Sequence, residues 1–147
     1  MYEFLEYRVC DVMTENPIAL GRGASLADAV RIFDEHDFNA IPIAEGGKLL
    51  GVISKLDVLA AFRFTADQTL PAYDEIMKRS VVDVMTREPS TVAPRERLTD
   101  VLAKLVDSGV KSFPVLSGDE LVGIVAREDV LRGLRRASAG EVASGPI

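Results

Sequence analysis

The residues best placed to do chemistry lie in the run Gly51-Val52-Ile53-Ser54-Lys55-Leu56-Asp57. It reads as a strand that runs into a helix. Gly51 permits close backbone approach. Ser54 falls at the helix N-cap, where unpaired N–H groups and the helix dipole favour an anion, and its hydroxyl can donate to a phosphate oxygen. Asp57, one turn in, can accept both hydroxyls of a ribose in charge-assisted hydrogen bonds. Lys55 adds a positive charge suited to a phosphate. The same Ser54-x-x-Asp57 spacing is also an ordinary capping box that needs no ligand. A second copy, Gly123-Ile124-Val125-Ala126-Arg127-Glu128-Asp129, keeps the aspartate but puts Ala126 where the serine was. Ala126 has no hydroxyl, so phosphate binding there would rest on the Arg127 guanidinium. The helix dipole alone could account for Asp129. An aspartate at the same place in both copies fits a shared sugar-binding role better.

The elements that position these residues follow from an internal repeat. Sliding the chain by 72 positions superposes residues 9–62 on 81–134 without a gap, and 15 of 54 positions are identical. Ordinary residue frequencies would give roughly 3 or 4. Each copy opens on a lead-in, Val9-Cys10-Asp11-Val12-Met13-Thr14 or Val81-Val82-Asp83-Val84-Met85-Thr86. After Pro17 or Pro89 comes a short strand, Ile18-Ala19-Leu20 or Ser90-Thr91-Val92. An amphipathic helix follows. In the first copy Ser25 caps it with Asp28 at capping-box spacing, and Leu26, Ala29, Val30 and Phe33 share one face. In the second, Leu98, Val101, Leu102, Leu105 and Val106 form the apolar stripe, and Gly109 is the C-terminal stop.

Two strands then pair through a tight turn, at Glu45-Gly46-Gly47-Lys48 and at Ser117-Gly118-Asp119-Glu120. Glycine there supplies the positive φ that short hairpins require. Pro42 and Pro114 lack an N–H, so their strands belong at a sheet edge or carry a bulge. A closing helix ends each copy, from Lys55 to about Arg63 and from Arg127 to about Arg135. The fold class is therefore α+β, an α/β-type sandwich of two tandem β-α-β-β-α repeats. The chain divides into repeat 1 over 1–64, a linker over 65–80 with a helix that Pro71 opens through Ala72 to Arg79, repeat 2 over 81–136, and a Gly-rich tail over 137–147 that is expected to be disordered.

Composition excludes several function classes. The formal net charge is −6, which repels phosphate backbones and argues against nucleic acid. One cysteine, Cys10, makes no internal disulfide, and one histidine, His36, leaves no Ser-His-Asp or Cys-His set. His36 reads as a solvated residue at a helix end. No apolar run is long enough to span a bilayer and no signal peptide is visible. A cytoplasmic, non-enzymatic protein without catalytic residues, metal or catalytic cofactor is expected.

The duplicated Asp-Val-Met-Thr, the Ile-Pro-Ile or Phe-Pro-Val strand and the Gly-to-Asp ending, at constant spacing over residues 9–134, together resemble the cystathionine-β-synthase (CBS) domain, which occurs in pairs called Bateman modules. The resemblance implies two repeats about a pseudo-twofold axis. It implies clefts that take an adenine nucleotide or related adenosyl compound (AMP, ADP, ATP or S-adenosylmethionine) as a regulatory ligand. By that pattern Ser54, Lys55 and Asp57 would face Thr91 and Val92 with Lys111, Ser112, Phe113 and Pro114. Arg127 and Asp129 would face Ala19 and Leu20 with Phe38, Asn39, Ala40, Ile41 and Pro42. Phe38 and Phe113 read equally as core. The implied partners are a second copy in a homodimer, using Val58, Leu59, Ala61, Phe62, Val130, Leu131 and Leu134, and possible regulation of a target enzyme or transporter. A ligand-free assembly module is the alternative.

Overall fold

A computed structural model describes residues 2–63 and 72–143. It separates into two compact units, one made of residues 1–17 with 90–147 and the other of residues 18–89. Each is described by itself.

The first unit begins with helix α1 (Tyr2–Leu5) and a 3-10 turn (Val9–Asp11), then strand β1 (Thr14–Glu15). It resumes with helix α6 (Leu98–Ser108), strands β5 (Ser112–Ser117) and β6 (Glu120–Ala126), and helix α7 (Arg127–Ser138). Strand β6 lies between β1 and β5, antiparallel to both. The other unit holds α2 (Leu26–Glu35), β2 (Ala40–Glu45), β3 (Lys48–Ser54), α3 (Lys55–Ala61), α4 (Tyr73–Met77), α5 (Val81–Val84) and β4 (Thr86–Arg87). There β3 lies between β4 and β2, again antiparallel.

The lead-in of each repeat thus sits with the elements of the other. Val9, Val12 and Met13 pack with Leu98, Val101, Phe113, Val125 and Val130, and Val81 and Met85 pack with Leu26, Ile41, Ile43, Ile53 and Val58. Two glycines admit these lead-ins. A Cβ on Gly51 would stand 2.6 Å from the Thr86 carbonyl oxygen, and one on Gly123 would stand 2.8 Å from that of Thr14. The close approach expected at Gly51 is therefore made by this chain's own backbone.

Local chemistry explains the element ends. Ser25 and Asp28 form the expected capping box of α2. Gly109 closes α6 at φ 71°, and its N–H reaches the Leu105 carbonyl. The hairpin turns carry Gly46 at φ 59° and Gly118 at φ 65°. Strands β2 and β5 both satisfy the proline constraint: each carries a bulge, between Ile43 and Ala44 and between Val115 and Leu116.

Several expectations need correction. The strands foreseen after Pro17 and Pro89 are single parallel bridges, Leu20 to Ile43 and Val92 to Val115. Only Leu20 and Val92 make paired backbone bonds there, because the adjoining prolines lack an N–H to extend the ladder. Val106 was assigned to the inner stripe of α6 but is 73% exposed. Residues at the start of the segment assigned to the tail are ordered. Helix α7 continues to Ser138, and the Tyr7 hydroxyl donates to the Glu141 carbonyl at 3.0 Å. The Arg136 guanidinium lies over the Tyr7 ring and donates to the Asp11 carbonyl, so the ends of the chain hold each other. The linker assignments at 65–71, Pro71 included, fall outside the described residues.

Candidate functional site

At the first junction, β3 ends on Ser54 and α3 begins at Lys55. The Ser54 N–H donates to Asp57 Oδ2 at 2.9 Å, and the Asp57 N–H donates to Ser54 Oγ at 3.1 Å. The capping box is formed, and it satisfies two helix-end donors that would otherwise lack partners. It does not exhaust the carboxylate. The other partner of Asp57 is the Thr86 hydroxyl, 3.2 Å from Oδ1 and 3.3 Å from Oδ2. Asp57 is half-buried and Thr86 exposed, so this acceptor stays within reach of solvent. The Lys55 ammonium lies 5.8 Å from the centre of the Phe33 ring, on the exposed side of the same unit.

The second junction is built differently. Asp129 is 6% exposed. Its Oδ2 accepts the Ala126 N–H at 2.8 Å, and its Oδ1 takes the Arg132 guanidinium at 2.8 Å. Arg132 also donates to the Val12 carbonyl at 2.9 Å. Arg127 is committed elsewhere, donating to the carbonyls of Gly109 at 2.7 Å and Val110 at 3.3 Å at the end of α6. Those contacts quench exposed carbonyls at a helix C-terminus, where a cation is favoured.

The remaining expected residues divide by burial. Ile41, Pro42, Val92, Phe113 and Pro114 are buried, while Leu20, Phe38, Asn39, Ala40, Thr91 and Ser112 are half-buried. Ala19 and Lys111 are exposed, and the Lys111 carbonyl accepts the Arg127 N–H at 3.1 Å. Phe113 belongs to the core of its unit, and Phe38 packs on the other core and stacks on His36 at 4.7 Å. Phe113 and Thr91 also line a surface pocket of about 590 Å³, together with Ser90, Lys104, Asp107 and Ser108.

Sequence reasoning missed Thr86, Arg132 and the pocket residues of α6. Thr86 carried a signal, since Met-Thr ends both lead-ins, but nothing in the spacing says that it meets Asp57. Arg132 stands three residues after Asp129, a helical ion-pair spacing that was readable. Among the described residues no group of three or more His, Cys, Asp or Glu side chains could hold a metal. No helix among them is long and apolar enough to cross a membrane.

A helix-and-strand unit that occurs twice, each time with a strand running into a helix, defines a tandem-repeat module. The sequence model of the CBS domain matches residues 9–63 and 81–136, and the chain belongs to that family. Among solved structures it resembles a protein assigned to acetoin utilization (AcuB) from Vibrio cholerae, at 27% identity and TM-score 0.78, over 97% of this chain and 100% of that one. It also resembles CBSX2 in complex with AMP, at 26% identity and TM-score 0.75, over 90% and 98%. A third is a CBS domain pair in complex with 5′-methylthioadenosine and S-adenosyl-L-methionine, at 26% identity and TM-score 0.70, over 88% and 97%. The chain spans 22% to 44% of the length of the first curated relatives it matches.

Proposed function

We propose that this chain is a regulatory module that senses an adenosyl compound, AMP or a relative of it, with the Ser54–Asp57 junction taking the ribose and phosphate. The observation that carries this reading is the state of Asp57. Its carboxylate is capped and oriented by the Ser54 N–H, yet among the described residues its other partner is the neutral hydroxyl of Thr86. A ribose diol can take the place of that hydroxyl without leaving a buried charge unpaired. Two structures at 26% identity hold adenosyl ligands, AMP in one and methylthioadenosine with S-adenosylmethionine in the other. A regulatory role fits matches that cover a minor part of the curated relatives better than a catalytic one does.

The test is a thermal-shift series with AMP, ADP, ATP, S-adenosylmethionine and NAD. A ligand at 100 times its dissociation constant adds about 2.7 kcal/mol of stability. Asp57→Ala should weaken binding of the active compound by about 1.5–3 kcal/mol, the worth of a hydrogen bond to a charged group. Full affinity in a folded Asp57→Ala variant would refute the assignment.

The partner we propose is a second copy of the chain, in a cytoplasmic homodimer that acts on an enzyme or transporter. Leu59 and Leu131 on the closing helices are 68% and 55% exposed. In the first unit Leu131 lines an apolar groove of about 240 Å³ with Leu102, Val106 and Leu134. Val58 and Val130, assigned to the same surface, are buried and serve the cores instead.

A further inference from the structure

Among the described residues three aspartates occupy one local position in an α-helix: third in the helix, accepting the N–H of the N-cap residue. They are Asp28, Asp57 and Asp129. Asp28 also takes Arg31 at 3.0 Å, and Asp129 takes Arg132 at 2.8 Å, each three residues further along its helix. At that offset from Asp57 stands Ala60. Among the described residues Asp57 alone of the three has no cationic partner. Asp129 differs further in its burial, with a side chain 9% exposed against 35% for Asp28. Arg132 is fixed from a second side by the Val12 carbonyl, which ties α7 to the lead-in beside β1.

We infer that Arg132 is a built-in counter-ion which keeps Asp129 from a sugar, so that the chain takes one adenosyl ligand where its duplicated sequence suggests two. The inference rests on the proposed function and decides its stoichiometry. Asp129 Oδ2 holds the Ala126 N–H and Oδ1 the Arg132 guanidinium, and a side chain only 9% exposed leaves the remaining lone pairs little access for a diol. A ribose would have to displace a guanidinium from a buried carboxylate, which strands a charge and costs far more than displacing a hydroxyl. Ala126 offers no hydroxyl and Arg127 is held on the end of α6, so no other contact at that junction repays the loss.

The experiment is calorimetric titration of the full chain with AMP and, separately, with S-adenosylmethionine. The expected result is one molecule per chain. Asp129→Asn should keep the affinity within about twofold. Arg132→Ala should raise the stoichiometry toward two, with the added event weaker, and Arg132→Gln serves if the alanine variant does not fold. Two molecules per wild-type chain, a tenfold loss of affinity in Asp129→Asn, or an unchanged single site in the folded Arg132 variants would overturn the inference. If neither compound binds, the proposed function fails, and the counter-ion role is judged on melting. Asp129→Asn must then lower the melting temperature more than Asp57→Asn does, and an equal or smaller loss would overturn it.

Discussion

Gly51→Ala tests the contact on which the first junction depends. The added methyl would meet the Thr86 carbonyl oxygen at 2.6 Å, Met85 Sδ at 2.7 Å and Met85 Cγ at 3.1 Å. The thioether can turn aside. The carbonyl cannot, because β4 is paired with β3 at Gly51–Arg87 and Val52–Thr86. Ordinary contact begins near 3.4 Å, so the backbone of β4 must retreat by about 0.8 Å. Overpacking of this kind costs about 1–3 kcal/mol. The same retreat carries the Thr86 hydroxyl away from Asp57, already at 3.2 and 3.3 Å, and that lost bond adds about 0.5–1.5 kcal/mol. The sum, about 1.5–4.5 kcal/mol, corresponds to a fall in melting temperature of roughly 4–14 °C for a chain of this size. Gly21→Ala is the control, since a Cβ there meets nothing within 4 Å. It should change stability by less than about 1 kcal/mol. Urea denaturation followed by circular dichroism measures both. A Gly51→Ala midpoint that coincides with those of wild type and Gly21→Ala would refute the reasoning.

Other expectations concern titration and assembly. Burial pushes the Glu96 carboxyl up, but the Lys104 ammonium at 2.7 Å and the Ala93 N–H outweigh it and hold the group below its ordinary value of 4.5. A depressed carboxyl stabilises the fold above that value and ceases to as pH falls through the lowered one. The stability gap between wild type and Glu96→Gln should therefore be constant at neutral pH and close in acid; a gap that persists at the lowest pH of folding would contradict this. At Cys10, burial and then the Asp11 charge raise the thiol pKa. Iodoacetamide at pH 8 should alkylate it more slowly in the folded chain than in urea, and equal rates would show otherwise. Light scattering at high micromolar concentration should give twice the chain mass of 16.0 kDa. Leu131→Glu should halve it without unfolding, because the side chain is 55% exposed; a monomeric wild type would rule out the dimer.

The sequence by itself determined most of the local structure, because the causes are local. Ser25 with Asp28 and Ser54 with Asp57 cap their helices through side chains three residues apart, and Gly109 ends α6 because only a residue free at positive φ closes it. The hairpins follow from Gly46 and Gly118, and β2 and β5 carry the bulges that Pro42 and Pro114, without an N–H, led one to expect. The candidate carboxylates Asp57 and Asp129 were legible in the same way, from their repeated place after a strand. Their difference in partners was not. Thr86 is distant in sequence from Asp57, and the Arg132 spacing reads as one more surface ion pair until its burial is known. Tertiary structure also decided which sheet each lead-in joins. Val9, Val12 and Met13 offer the same apolar surface as Val81, Val84 and Met85, and Gly51 and Gly123 leave the same opening for it. Identical side chains cannot choose between two equivalent cores. Only the tertiary structure shows that each lead-in, ending at Pro17 or Pro89, belongs to one compact unit while the residues after it belong to the other.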